Sequence, residues 1–350
     1  MIIEDGGGGS PGPQGPQGPP GPTAPAAMVR YVDAGQAGAT QDGSAVFPYA
    51  TIQQAITDME AAAVAGQPKR GRIYLQGPIT LGVGDTIQLT TLLLEIVGLE
   101  RGSILAPGQD AIANSPLTPA ANHIILAVDT QLRLNKVDLF ALDIIGLTGS
   151  GTALNIEDCS ASGCNISNLG SINIVGGSLA GPVAGGGRCT IDVGGLNLHS
   201  GSIFQCDVQL AGGIIMTRAS IFNCDVTFGA GLTIFSLVYG GESSLTLSSD
   251  SQLYMQNCWT FGGLTQFSIV NSGLVEMATT RIFDAMTYTH NAGATLRVDS
   301  FSNYFLNGAA GTVTVTADIL TAVGAPFVNM TFSYGTITFG AEFAHSEGGI

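Results

Sequence analysis

Ile203-Phe204-Gln205-Cys206-Asp207-Val208 recurs eighteen residues later as Ile221-Phe222-Asn223-Cys224-Asp225-Val226, and each copy is followed by a glycine-containing turn. Cys189 precedes Cys206 by one position less than that period, and Cys258, in Gln256-Asn257-Cys258, lies about two such periods beyond Cys224. A repeat of this size has room for three brief strands and their corners. A unit this small buries its apolar face only by stacking on its neighbours. The reading is an all-β, right-handed parallel β-helix in which equivalent cysteines form a ladder, roughly 4.8 Å from rung to rung. The six cysteines (Cys159, Cys164, Cys189, Cys206, Cys224, Cys258) are then reduced, buried small hydrophobes, and neither disulfides nor metal ligands.

Composition agrees with this architecture. Charged residues make up 11% of the chain, apolar residues 45%, and glycine supplies 50 of 350 positions. Disorder needs low hydrophobicity and high charge, so this chain is expected to fold, with β structure and frequent tight turns. A net charge of -15 with only 11 Lys and Arg residues makes nucleic acid and anionic membrane surfaces poor partners. No stretch reads as a membrane helix. Met1-Ile2-Ile3-Glu4-Asp5 lacks the basic and apolar segments of a secretion signal, so the expected site of synthesis is a cytosol.

Upstream of the repeat, the chain is extended and turn-rich from Met28 to Phe47. Thr51 with Gln54 forms a capping box, and Ile52, Ala55, Ile56, Met59 and Ala63 repeat at helical spacing until Gly66 and Pro68. The expected helix covers about residues 51–65 and is followed by a strand at Arg72-Ile73-Tyr74-Leu75. These parts, in this order, resemble the N-terminal segment of right-handed parallel β-helices of the pectin lyase-like superfamily. The matching residues are Tyr31-Val32-Asp33-Ala34-Gly35, Asp42-Gly43-Ser44, Pro48-Tyr49-Ala50-Thr51-Ile52-Gln53-Gln54-Ala55-Ile56 and Gly71-Arg72-Ile73-Tyr74-Leu75. The resemblance implies that the helix caps the open end of the first coil and protects its β edge.

At the N-terminus, glycine falls at Gly9, Gly12, Gly15, Gly18 and Gly21, with Pro or Gln in most positions between. Only glycine fits at the axis of three wound polyproline chains, so this collagen-like run implies a homotrimer with a stalk of about 45 Å at ~3 Å per residue. The run is too short to hold three chains together alone, and the downstream fold must contribute. The expected organisation is an N-terminal tail at 1–8, a stalk at 9–23, a neck and capped first coil at 24–80, the β-helix at 81–310 and a C-terminal β tip at 311–350. Thr312-Val313-Thr314-Val315-Thr316 and Thr336-Ile337-Thr338-Phe339 alternate with period two. They suggest antiparallel strands or a chain-exchanged tip, and the aromatics there either join the trimer interface or cap the helix.

Catalytic signals are sparse. Asp207 and Asp225 are the best carboxylate pair, since the repeat puts them on adjacent rungs near the separation that a retaining glycosidase uses. Any ladder of this period would do the same. Arg218 is the only basic residue between them, and Trp259 is the only tryptophan. His123, His199, His290 and His345 are isolated, no metal-ligand spacing occurs, and no cofactor or metal is expected. Polygalacturonase and pectate lyase signatures are not found.

A short tail, a collagen-like stalk and a trimeric β-helix together resemble the fibres and spikes that viruses, bacteriophages above all, carry on capsid or tail. That resemblance implies a structural protein of the virion surface, made in the host cytoplasm, that docks onto a capsid or tail protein. The residues for docking would be Ile2, Ile3, Glu4 and Asp5. Host attachment, to a glycan or a protein receptor, would use aromatics such as Trp259, Phe332 and Tyr334. Two alternatives stay open at this point: a tailspike depolymerase of the glycoside hydrolase or lyase type, and a collagen-like adhesin of a bacterial or giant-virus surface.

Overall fold

The computed structural model describes residues 28–35, 40–62, 69–82, 85–105, 123–147, 151–181, 188–261, 267–278, 281–283, 286–290, 295–298, 303–305, 312–316, 331–332 and 336–339. Their strands pair only in parallel, and they wind into one right-handed β-solenoid with three ladders. Each ladder contributes an inward column of apolar residues. The first runs Ile73, Ile96, Leu134, Ile156, Ile174, Leu198, Met216, Phe235, Met255 and Met277 in continuous register. The second passes through Ile79, Ile104, Leu139, Ala161, Leu179, Ile203 and Ile221. The third passes through Ile87, Ile124, Ile144, Ile166, Ile191, Val208, Val226, Leu245 and Ile269. Alternate residues point in, so the three columns meet in a single core.

The corners explain the repeat. Between the first and second ladders the chain turns through a left-handed residue in coil after coil: Lys136, Asp158, Gly176, Ser200, Arg218, Leu237 and Asn257. Between the second and third it turns at Ala141, Gly163, Gln205, Asn223 and Glu242. One residue at positive φ redirects the strand while its N–H still reaches the adjoining coil, as Arg218 N donates to the Ser236 carbonyl at 2.9 Å and Gln205 N to that of Phe222 at 3.0 Å. The next residue points into the core and has little room. At the second-to-third corner that position holds Leu142, Cys164, Cys189, Cys206, Cys224 and Ser243.

Cysteine suits this corner because it is small and can donate back to the turn. The thiols of Cys206 and Cys224 donate to the carbonyls two residues earlier, Phe204 at 3.2 Å and Phe222 at 3.1 Å. The serine equivalent, Ser243, makes the same bond to Gly241 at 2.8 Å and accepts the Cys224 N–H. Burial pushes the thiol of Cys159 up to about 11, that of Cys164 to about 12 and that of Cys258 to about 11. Cys206, with Cys189 and Cys224 as hydrogen-bonding neighbours, is likewise held protonated, while its hydrogen bonds pull the thiols of Cys189 and Cys224 down, so that burial alone shields those two from a reagent. All six cysteines are free and buried. A thiol reagent at pH 8 is therefore expected to leave the native protein unlabelled and to modify all six after denaturation. Fast labelling of Cys206 or Cys224 in the native state would contradict the corner packing.

The first coil is closed by α1, Ile52–Ala62. The Thr51 hydroxyl accepts the Gln54 N–H at 3.2 Å, and Ile52, Ala55, Ile56 and Met59 face the core. Gly71 lets the helix settle, because a Cβ there would stand 2.6 Å from the Met59 sulfur. Gln53 and Glu60 accept the backbone N–H groups of Gln88 and Thr90 at the end of the solenoid, where no lower coil is available to do so. Arg30 pairs with Asp58 at 2.5 Å and ties the helix to the first strand, Met28–Val32.

Three sequence expectations are corrected. The eighteen-residue period holds only in the tightest coils. Asn155 and Asn173, stacked on successive coils of the first ladder, are separated by that period, whereas Asn173 and Asn197 lie further apart and the coil from Ile96 to Leu134 is longer still, since corners absorb insertions more readily than strands do. Cys258 does not continue the cysteine column. It occupies the first-to-second corner with Cys159, Ala219 and Val238, while Cys164 joins the column instead. Thr312–Thr316 and Thr336–Phe339 pair in parallel and extend the third ladder, so the period-two alternation there is the solenoid's own and not that of antiparallel strands. The tail at Ile2, Ile3, Glu4 and Asp5, the stalk glycines Gly9, Gly12, Gly15, Gly18 and Gly21, and Tyr334 lie outside the described residues.

Candidate functional site: the outward faces

Each ladder has an outward face, and the three differ in chemistry. On the third, the strand register stacks Asp207 directly on Asp225. Two like charges opposite one another on neighbouring strands destabilise a sheet. Arg188 answers this: its Nη1 bonds Asp207 at 2.8 Å and also Asp225, while Nη2 donates to Asn223 at 3.0 Å. The hydrogen bond to Asp207, with the nearby charge of Asp225, holds the guanidinium more firmly protonated. The pair that sequence spacing offered as acid and base is thus a clamped, exposed triad, with both carboxylates engaged by one cation. Arg188 escaped the sequence reading because it precedes Asp207 by a whole coil, and only the register brings it near.

Arg188→Gln is expected to destabilise the protein by about 1 kcal/mol at low salt, through the exposed carboxylate repulsion it leaves. Added salt should shrink the loss, and Asp225→Asn in the same chain should remove most of it. Thermal melts of the single and double variants check this. An additive double variant would contradict the clamp.

The first ladder's face carries a charge stack that passes into an amide stack. Arg72, Glu95, Arg133, Asn155, Asn173 and Asn197 succeed one another in register. Arg72 holds Glu95 at 2.5 Å, and Arg133 pairs with Glu157. Asn197 then donates to Asn173 at 2.7 Å and Asn173 to Asn155 at 2.9 Å. A shallow groove of about 620 Å³ follows this stack. Its polar groups bond mainly to each other, which ties coil to coil.

From Ser160 to Trp259 the second ladder's face is uncharged; Asp138 precedes this stretch and Arg281, which pairs with Trp259, follows it. Ser160, Ser178, Ser202 and Ser220 form one outward column, with Ser178 donating to Ser160 at 3.1 Å, and the column continues as Tyr239 and Trp259. The rings of Tyr239 and Trp259 meet edge to face, with centroids 5.4 Å apart. The sequence reading singled out Trp259 but missed Tyr239, which reaches it only through the coil repeat. Phe332 pairs in parallel with Tyr304. Among the described residues, no group of three or more His, Cys, Asp and Glu converges as a metal site.

No family model matches the chain, and no curated protein sequence matches it. Two solved structures resemble it loosely. The catalytic domain of GH87 alpha-1,3-glucanase in complex with nigerose, in a substituted form, is 12% identical over 91% of this chain and 69% of that one, with a TM-score of 0.37. Another structure of that domain with nigerose is 13% identical over the same shares, with a TM-score of 0.34. Likenesses this loose say nothing about residues or chemistry here.

Proposed function

We propose that this chain is a homotrimeric fibre or spike protein of a virion, structural and non-catalytic, in which the solenoid is the distal domain that meets a host-surface glycan or protein. The observation that carries this reading is the unbroken Gly-X-Y register from Gly9 to Thr23 placed ahead of a solenoid. Ile2, Ile3, Glu4 and Asp5 would dock on a capsid or tail protein, and the triplets would project the solenoid away from it. Stacked coils held by backbone ladders and a single core, without disulfides, suit a rod that must persist outside a cell. The Arg188 clamp on Asp207 and Asp225 favours attachment over cleavage.

The test is a paired retention and turnover assay on bacterial envelopes and on polysaccharides extracted from them. The expected result is retention on the envelopes of a susceptible host without release of new reducing ends or unsaturated sugars. Release that disappears in Asp207→Asn or Asp225→Asn would replace this reading with a depolymerase.

A further inference from the structure

The strongest unassigned feature is the second outward column of the second ladder. It passes in register through Phe140, Ser162, Ala180, Phe204, Phe222, Gly241 and Phe261. Outward positions of a solenoid are normally polar, and Phe204 is 48% exposed. Beside this column run the serines and then Tyr239, itself 42% exposed, and Trp259.

Charge separates this face most clearly from the third ladder's. From Ser160 to Trp259, no outward strand position of the second ladder is ionisable apart from the Tyr239 phenol. The third ladder over the same coils carries Asp192, Asp207 and Asp225, and the first carries Glu157. In a chain of net charge -15, close approach of identical copies is least opposed where the carboxylates are missing.

We propose that the second ladder's face is the surface on which three copies of this chain pack side by side, with the phenylalanine column and the Tyr239 and Trp259 pair as the buried seam. The inference rests on the trimer reading above. The collagen-like run supplies the occupant, because triplets wound together hold three chains parallel and in register, so the same strip of each copy comes level with the others. A run this short needs such a seam to stay wound. Ala180, a small and partly exposed residue in the same column, leaves a gap into which a neighbour's ring can fit, and the column itself offers a sugar few donors or acceptors.

The test uses the full chain. Phe204→Glu with Phe222→Glu is expected to drop the mass in solution to about one third, while Gln209→Glu with Thr227→Glu, an equal charge change on the third ladder, leaves it unchanged. Circular dichroism melts of both variants report folding. Should the phenylalanine variant misfold, Ser220→Cys with a short bismaleimide decides: cross-linked chains support the seam, and cross-links at Gln209→Cys but not at Ser220→Cys overturn it. A phenylalanine variant that keeps its mass also overturns the seam and leaves the fibre reading intact, and loss of envelope retention in that variant would reassign the face to the receptor. A parent chain with the mass of one copy overturns both.

Discussion

Gly213→Ala is expected to destabilise the solenoid by about 3 kcal/mol, although it adds a single methyl group. A Cβ at this position would stand 1.7 Å from the Leu232 carbonyl oxygen and 2.6 Å from its carbon, both backbone atoms of the adjoining coil. No rotamer change relieves such a contact, so the third-to-first corner must open. The neighbouring corner has the same tightness: a Cβ on Gly212 would meet the Gly194 carbonyl oxygen at 2.6 Å, and one on Gly194 would meet that of Gly170 at 2.5 Å. The matched control is Gly77→Ala, where the added methyl meets nothing within 4 Å and stability should hold or rise slightly. Large proteins often unfold irreversibly, so the comparison is best made on unfolding rates at one temperature. About 3 kcal/mol, if the contact is absent from the transition state, is roughly a hundredfold in rate. Equal rates for the two variants would show that coil spacing is looser at Gly213 than the geometry requires.

Phe235→Ala is expected to lose roughly 3 to 5 kcal/mol, the range for emptying a large buried aromatic site. Phe235 and Phe228 are both fully buried, one in the first ladder between Met216 and Met255 and the other closing the third between Leu210 and Leu247. Their rings meet edge to face with centroids 6.4 Å apart, so they bridge two walls of the core within one coil. In a double-mutant cycle with Phe228→Ala, the double variant should lose about 1 kcal/mol less than the sum of the two separate losses. Phe204→Ala has no such role in the single coil stack. Its effect should fall on assembly, with little change in the fold. If Phe204→Ala and Phe235→Ala behaved alike, the division between core and seam phenylalanines would fail.

The solenoid was legible because its repeat is written locally. The Ile-Phe-x-Cys-Asp-Val copies carry an inward isoleucine, an outward phenylalanine, a left-handed corner and an inward cysteine in immediate succession, and the strand register reproduces that order. The capping helix was equally readable from Thr51 and Gln54, whose hydrogen bond is local. Features that depend on a whole coil of register were not legible. Arg188 meets Asp207 and Asp225 across two rungs, Tyr239 meets Trp259 across one, and Cys258 turns a different corner from Cys224 because the coil between them is longer than the repeat of the tight coils. Variable coil length defeats counting in a fixed period. The parallel pairing of Thr312–Thr316 was hidden for another reason, since alternation of inward and outward residues is the same for parallel and antiparallel strands when one face is buried.

The measurement that tests the central claim most directly is the mass of the purified full chain in solution by light scattering. The account predicts three times the 35.7 kDa of one chain, at concentrations well below those that drive adventitious association. A mass of one chain, with the circular dichroism of a folded β protein, would contradict it: the Gly-X-Y run would then be a linker, the phenylalanine column would face solvent, and the fibre reading would fall with both.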